Sequence, residues 1–208
     1  MDVKEFSDIQ LDAIKEICSI ASGTAANALS QVLNKKVTMK VPDIQIVPVE
    51  VATSIMGDPN SIVAGVYSRL LGDFRGGLLL TFPREDVILL VNKLVNNGTE
   101  VKVHSLSELD VSAVSEVGNI ISAAFVTAIS KIIDKSILIS VPKLSIDMLG
   151  AIVDFILIEL AEEAEQALIM KIQFEDIPRT VSGHFFILPN PGSLEMLLDS
   201  IKLYHQKK

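Results

Sequence analysis

The sequence predicts an α+β fold in which two pseudo-symmetric halves share one sheet, with two long helices on one of its faces. Three observations lead there. First, the stretch from Asp12 overlays the stretch from Ser112 without a gap. Glu16 falls on Glu116, Ile20 on Ile120, Ser22 on Ser122, Ala28 on Ala128, Ser30 on Ser130, Lys35 on Lys135, Val41-Pro42 on Val141-Pro142 and Ile46 on Ile146. A period of about 100 residues is too long for a solenoid and suits two fused half-domains. Second, each half opens with a long apolar segment at helical spacing. Third, each continues with strand-like segments. The expected halves run from 8 to 97 and from 106 to 204, within one domain covering 1–208.

Leu11, Ile14, Cys18, Ala21, Ala25, Ala28 and Val32 recur at steps of three and four, which predicts a helix over 8–33 ended by "LNKK". "VTMKVPDIQIVPVEV" is β-branched and broken by Pro42 and Pro48, as expected of short strands with an edge or bend at each proline. "ATSIMGDPNS" reads as loop or short helix. "IVAGVYSRLLGDFRGGLLLTFP" predicts two strands joined by a turn at Gly72-Asp73, and "REDVILLVNKLV" a closing helix. Asn97-Gly98-Thr99 reads as a turn between halves. The second half predicts a helix over 106–133, a strand in "SILISVP", an added apolar helix over 148–164 and strands in "QALIMKIQFE" and "TVSGHFFILP". A last helix follows "NPG".

With 49% apolar residues, 5% aromatics and no Trp, the interior must be built from aliphatic side chains and alanine. Mean hydropathy is +0.45, yet the richest stretch, "GAIVDFILIELA", is short and carries Asp154 and Glu159. A spanning helix needs about 20 predominantly apolar residues, so no membrane insertion is expected. The N-terminus lacks a basic and then apolar leader, and the single Cys18 cannot form an internal disulfide, so a cytoplasmic location is expected. A net charge of −8 with scattered Lys and Arg argues against nucleic acid as a partner.

At about 100° per residue, Asp12, Glu16, Ser19 and Gly23 share a narrow arc opposite Ile14, Ala21, Ala25 and Val32. Ser112, Glu116, Asn119 and Ala123 form the same arc opposite Val114, Val117, Ile121 and Ala128. Polar residues on a solvated helix face are ordinary. Asn, however, is a poor helix former, so its place in mid-helix wants a reason. Gly23, Ala26, Gly118, Ala123 and Ala124 flank the polar groups and are expected to let a partner surface approach.

Asp or Ser, three residues, Glu, two residues, Asn, twenty-two residues, Pro: this pattern resembles the signature of the CheC/CheX/FliY family of CheY-phosphate phosphatases. Ser112, Glu116, Asn119 and Pro142 match it fully, whereas Asp12, Glu16 and Pro42 match with Ser19 where the family has Asn. The similarity extends over the chain, including "NKKVTMKVP", "GDFRGG" and "IDMLGAI", and two copies resemble the CheC type. The resemblance implies a substrate that is a phosphorylated CheY-type response regulator carrying its own Mg²⁺ and Lys, so the chain itself needs no cofactor. It implies that Asn119 positions water and Glu116 pairs with the receiver's Lys, with Asp12 and Ser112 shaping the surface. The site with Glu16 and Ser19 is then weak or degenerate. It also implies the receptor deamidase CheD as a second partner, through the 148–164 helix, with Asp147 near the contact.

Other residues carry no expected chemistry. His104, His184 and His205 lack partners at metal spacing, and no Cys cluster exists, so no metal site is expected. "GDFRGG" lacks the Lys-Ser/Thr of a phosphate loop and reads as a hairpin turn. Cys18 reads as a small hydrophobe, and Ser19 and Ser112 have no His partner for hydrolase chemistry. Two functions compete: the phosphatase, and a non-catalytic binding protein that sequesters CheD or the phosphorylated receiver. A purely structural motor component would need a further assembly domain.

Overall fold

A computed structural model of the chain describes residues 7–94, 108–160, 165–175 and 181–206. The elements are α1 (Asp8–Leu33), β1 (Thr38–Pro48), α2 (Val49–Met56), β2 (Ile62–Gly72), β3 (Gly76–Pro83), α3 (Arg84–Leu94), α4 (Glu108–Ile133), β4 (Ile137–Ile139), β5 (Lys143–Met148), α5 (Leu149–Glu159), β6 (Gln166–Glu175), β7 (Val181–Pro189) and α6 (Pro191–Gln206). The expected turn at Asn97-Gly98-Thr99, His104 and the end of the 148–164 helix lie outside the described residues, as does the side chain of His205.

The strands form one antiparallel sheet in the order β1-β6-β7-β3-β2-β4, with β5 also paired to β2. Elements from before and after residue 100 therefore interleave. β1 hydrogen-bonds to β6, while β4 and β5 hydrogen-bond to β2. Each proline of the repeat sits where a ladder is interrupted. The register of β1 on β6 shifts between Lys40 and Asp43, across Val41-Pro42, and Val141-Pro142 separates β4 from β5. Proline has no N–H to give a ladder, so edge strands and irregularities are where it fits.

Side chains alternate across the sheet. Leu78, Leu80, Phe185 and Ile187 pack into a cluster with Ile14, Ile17, Ala21, Val117, Ile121 and Phe125 of the long helices. Leu79, Phe186 and Leu188 pack instead with Ala52 and Met56 of α2 and with Leu149, Ile152, Val153 and Ile156 of α5. The paired long helices thus share one face, as expected, but the opposite face is covered too. The helix expected over 148–164 as an addition has a counterpart. α2 and α5 begin one repeat apart, at Val49 and Leu149, directly after β1 and β5. The residues "VEV", expected to extend a strand, begin α2 because Ala52 and Met56 bury against the sheet from a helix. Tertiary packing overrides β-branched propensity here. α6 begins at Pro191 rather than after Gly192, using proline where a helix has no N–H to satisfy.

α4 is long and apolar enough, by length and composition, to cross a membrane. Here its apolar side lies on the sheet, with Val114, Val117, Ile121 and Phe125 all buried.

Candidate functional site: the outward faces of the paired helices

The correspondence between positions 100 residues apart extends to backbone geometry. α1 and α4 both finish on a left-handed residue, Asn34 at φ 48° and Asp134 at φ 53°, a conformation that Asn and Asp tolerate better than bulkier residues. Lys35 N–H then donates to the Ser30 carbonyl at 3.2 Å, and Lys135 N–H to the Ser130 carbonyl at 3.1 Å. The serine hydroxyls clasp the returning strand: Ser30 Oγ accepts from Val37 N–H at 2.9 Å, and Ser130 Oγ from Ile137 N–H at 3.4 Å. The sequence overlay pairs these serines, and what it does not convey is that both tie a helix end to a strand start.

These anchors hold two helices with their polar arcs turned away from the sheet. On α4, Ser112 and Glu116 are exposed and Asn119 is half-buried; on α1, Asp12 and Ser19 are exposed and Glu16 is half-buried. Glu116 and Asn119 make no hydrogen bond or ion pair with another described side chain. A carboxylate and a neutral amide therefore stand about one helical turn apart on a convex surface. Neither residue lines the apolar cavity between Ile14 and Phe125, the cleft between Asn27 and Met39 or the cleft between Arg69 and Asn190. Such a face cannot enclose a small substrate; it can insert groups into a pocket that a partner brings.

The small residues divide differently from expectation. Gly23 is exposed, with nothing within 4 Å of where its Cβ would be. Gly118 faces the other way: a Cβ there would lie 2.6 Å from Val66 Cγ2. It stands two positions after Glu116, about 200° around the helix, so it sets the approach of α4 to β2 rather than room for a partner. Ala26 is buried as well, and Val32, expected on the apolar face, is 60% exposed at the end of α1.

Pro42 is exposed within the β1 irregularity and Pro142 half-buried before β5; both shape the backbone, and α4 contacts β4 and β5 on either side of Pro142. Asp147 is exposed at the end of β5, and its Oδ1 accepts from Met148 N–H at 2.8 Å, just before α5. Cys18 is buried in the apolar interior, and burial pushes its thiol up to about 12. His184 is half-buried on β7 opposite Lys171, and burial, then that lysine's charge, hold it below the ordinary imidazole range. The "GDFRGG" segment joins β2 to β3, with Gly72 and Gly76 at φ 100° and 152°. Among the described residues no group of three His, Cys, Asp or Glu side chains could hold a metal ion.

A family model described as CheC-like matches residues 9–46 and 111–146, which take in α1 and most of β1, and most of α4 through β4 into β5. The CheY-P phosphatase CheC of Bacillus subtilis (strain 168) is 29% identical over 192 residues, covering 90% of this chain and 91% of that protein. Among solved structures, Thermotoga maritima FliY superposes with a TM-score of 0.77 at 22% identity, over 99% of this chain and 100% of that one. CheX from Borrelia burgdorferi, solved in a complex with CheY, BeF3 and Mg²⁺, has a TM-score of 0.50 at 16% identity, over 89% of this chain and 98% of that one.

Proposed function

We propose that the chain, whose residues 9–46 and 111–146 match the CheC-like family model, is a phosphatase that hydrolyses the aspartyl phosphate of a CheY-type response regulator, mainly through α4. The observation that carries this reading is the placement of an exposed Glu116 and a half-buried Asn119 about one turn apart on the outward face of α4. A receiver domain supplies the concave half of such a site. Its phosphoaspartate, Mg²⁺ and Lys belong to the substrate, and the chain adds what is lacking, an aligned water.

A neutral amide suits that task. The Asn119 carbonyl oxygen accepts a hydrogen bond from water without placing another negative charge beside the phosphoryl group. Glu116, exposed and anionic, pairs with the receiver's Lys and fixes the docking angle. Ser112 and Asp12, at the start of each arc, shape the contact surface. The Ser19 hydroxyl is shorter than the Asn carboxamide and begins nearer the backbone, so water held there is displaced. A misplacement of about 1 Å can cost about a hundredfold in rate, which makes the Glu16/Ser19 site weak or degenerate. The reading carries with it a cytoplasmic location, where a soluble receiver is met.

The test is the decay of a Mg²⁺-loaded, phosphorylated CheY in the presence of the purified protein. Saturable acceleration is expected. Decay unchanged by the protein, alone or with CheD, would contradict the reading.

A second reading, a non-catalytic binding or regulatory protein that sequesters CheD or phosphorylated CheY, is favoured by α5. Its outer side leaves Phe155 57% and Ile158 73% exposed, and Asp147 stands at its start. Apolar side chains of this size in one exposed row suit a protein partner. CheD binding through α5 is compatible with catalysis on α4, because the two helices lie on opposite faces of the sheet.

A further inference from the structure

A feature that the signature does not include recurs in both repeats. Ile9 of α1 is 77% exposed and Leu109 of α4 is 64% exposed. They are one repeat apart, and each stands seven residues before the glutamate of its helix. Seven residues are about two turns, so each side chain lies on the same stripe as its glutamate, about 10 Å along the axis. A single exposed aliphatic residue needs no explanation. Two of them at one offset from Glu16 and Glu116 are a pattern.

On α1, local structure does not account for it. With Ser7 as the N-cap and Gln10 completing the capping box, a hydrophobic staple would engage Leu11, at the fourth helical position, rather than Ile9. Nor does the core: neither Ile9 nor Leu109 is among the residues of the two apolar clusters. On the other side of each glutamate stand Ile20, also exposed, and Ile120, half-buried. Each outward stripe thus reads apolar, acidic, apolar.

We infer that Leu109 is a docking residue for the phosphorylated receiver, which it meets with its apolar side chain beyond the Glu116 contact, and that Ile9 presents the same contact on α1. This inference rests on the phosphatase reading. The fitting partner is a receiver surface whose apolar rim surrounds its charged phosphorylation pocket. Contacts made equally in the bound and transition states lower KM and leave kcat alone. Leu109 therefore sets affinity and not the chemical step, unlike Asn119.

The experiment compares wild-type protein with Leu109→Ala, Leu109→Asp, Leu109→Met and Ile9→Asp, after circular dichroism confirms folding. Two readouts are taken: steady-state decay of phosphorylated CheY, and calorimetric Kd for CheY activated with beryllofluoride and Mg²⁺. Leu109→Ala is expected to raise KM and Kd about three- to tenfold at unchanged kcat, consistent with loss of a partly buried aliphatic contact. Leu109→Asp raises them further, Leu109→Met restores wild-type values, and Ile9→Asp weakens binding without changing kcat. If the Leu109 variants keep wild-type KM and Kd while Asn119→Ala loses turnover, the inference is wrong and the phosphatase reading stands. If the wild type neither turns over nor binds the receiver, both fall.

Discussion

Gly118 of α4 lies against Val66 of β2 so closely that a Cβ on it would come within 2.6 Å of Val66 Cγ2 and 2.9 Å of Val66 Cβ. The glycine sits between Glu116 and Asn119 in sequence, about 200° around the helix from the first and about 100° from the second, so the contact that seats α4 also sets how far both side chains project. Gly118→Ala improves helix propensity by about 1 kcal/mol. Overpacking against a sheet side chain costs about 1–3 kcal/mol. Urea denaturation should show a net loss, partly reversed by adding Val66→Ala, with phosphatase activity falling alongside. A stabilised Gly118→Ala protein would mean the helix seats itself without this contact.

The serine clasps predict a pair of matched effects. Ser30→Ala and Ser130→Ala each remove the acceptor for a backbone N–H, at Val37 just before β1 and at Ile137 of β4. A lost hydrogen bond of this kind costs about 1 kcal/mol. The two clasps belong to separate helix ends, so the double variant should lose the sum of the single losses. Denaturation midpoints of the three variants check both size and additivity. The Ser30 variant should lose more, since its bond is the shorter.

Cys18 makes a prediction about alkali. Burial raises its pKa from 9.0 to about 12, so an unfolded chain releases the thiol proton at lower pH than the folded one. The unfolded state binds fewer protons in that window, and stability therefore declines as pH rises from about 9 towards 12. The thiol's contribution is fully present below about pH 9. Cys18→Ala should flatten this decline in a pH series of denaturation curves. Iodoacetamide should label Cys18 at neutral pH only after denaturant is added.

Glu116 predicts a salt effect. An exposed carboxylate that meets a receiver Lys adds an attraction that ionic strength screens. Glu116→Gln should weaken binding of beryllofluoride-activated CheY and reduce the salt dependence of Kd. An unchanged salt slope would remove the Lys contact from the account.

Much of the scaffold is readable from residue order. The apolar spacing from Leu11 onward, stopped by "LNKK", locates α1, and the overlay on Ser112 to Ile146 carries α4 with it. The hairpin at Gly72-Asp73 is visible because two apolar strands meet at glycine. α2 is not, because Val49 and Val51 favour a strand in isolation, and only the uncovered second face of the sheet makes a helix the better choice. The site shows the same division. Which residues share the outward arc follows from helical periodicity, whereas the direction of Gly118 and Ala26 depends on what lies beneath the helix. Ile9 and Leu109 escape notice in sequence because an aliphatic residue near a helix start looks like core until its exposure is known.

Catalysis on α4 requires that the amide at position 119 supply the water contact and that the hydroxyl at position 19 be dispensable. The most direct measurement is the decay of Mg²⁺-loaded, phosphorylated CheY with the wild type, Asn119→Ala and Ser19→Ala, each checked for folding. Asn119→Ala should lose at least about a hundredfold in kcat, the scale set by a misplaced reactant, while Ser19→Ala keeps wild-type turnover. Full activity in Asn119→Ala, with loss in Ser19→Ala, would contradict it and move the chemistry to α1.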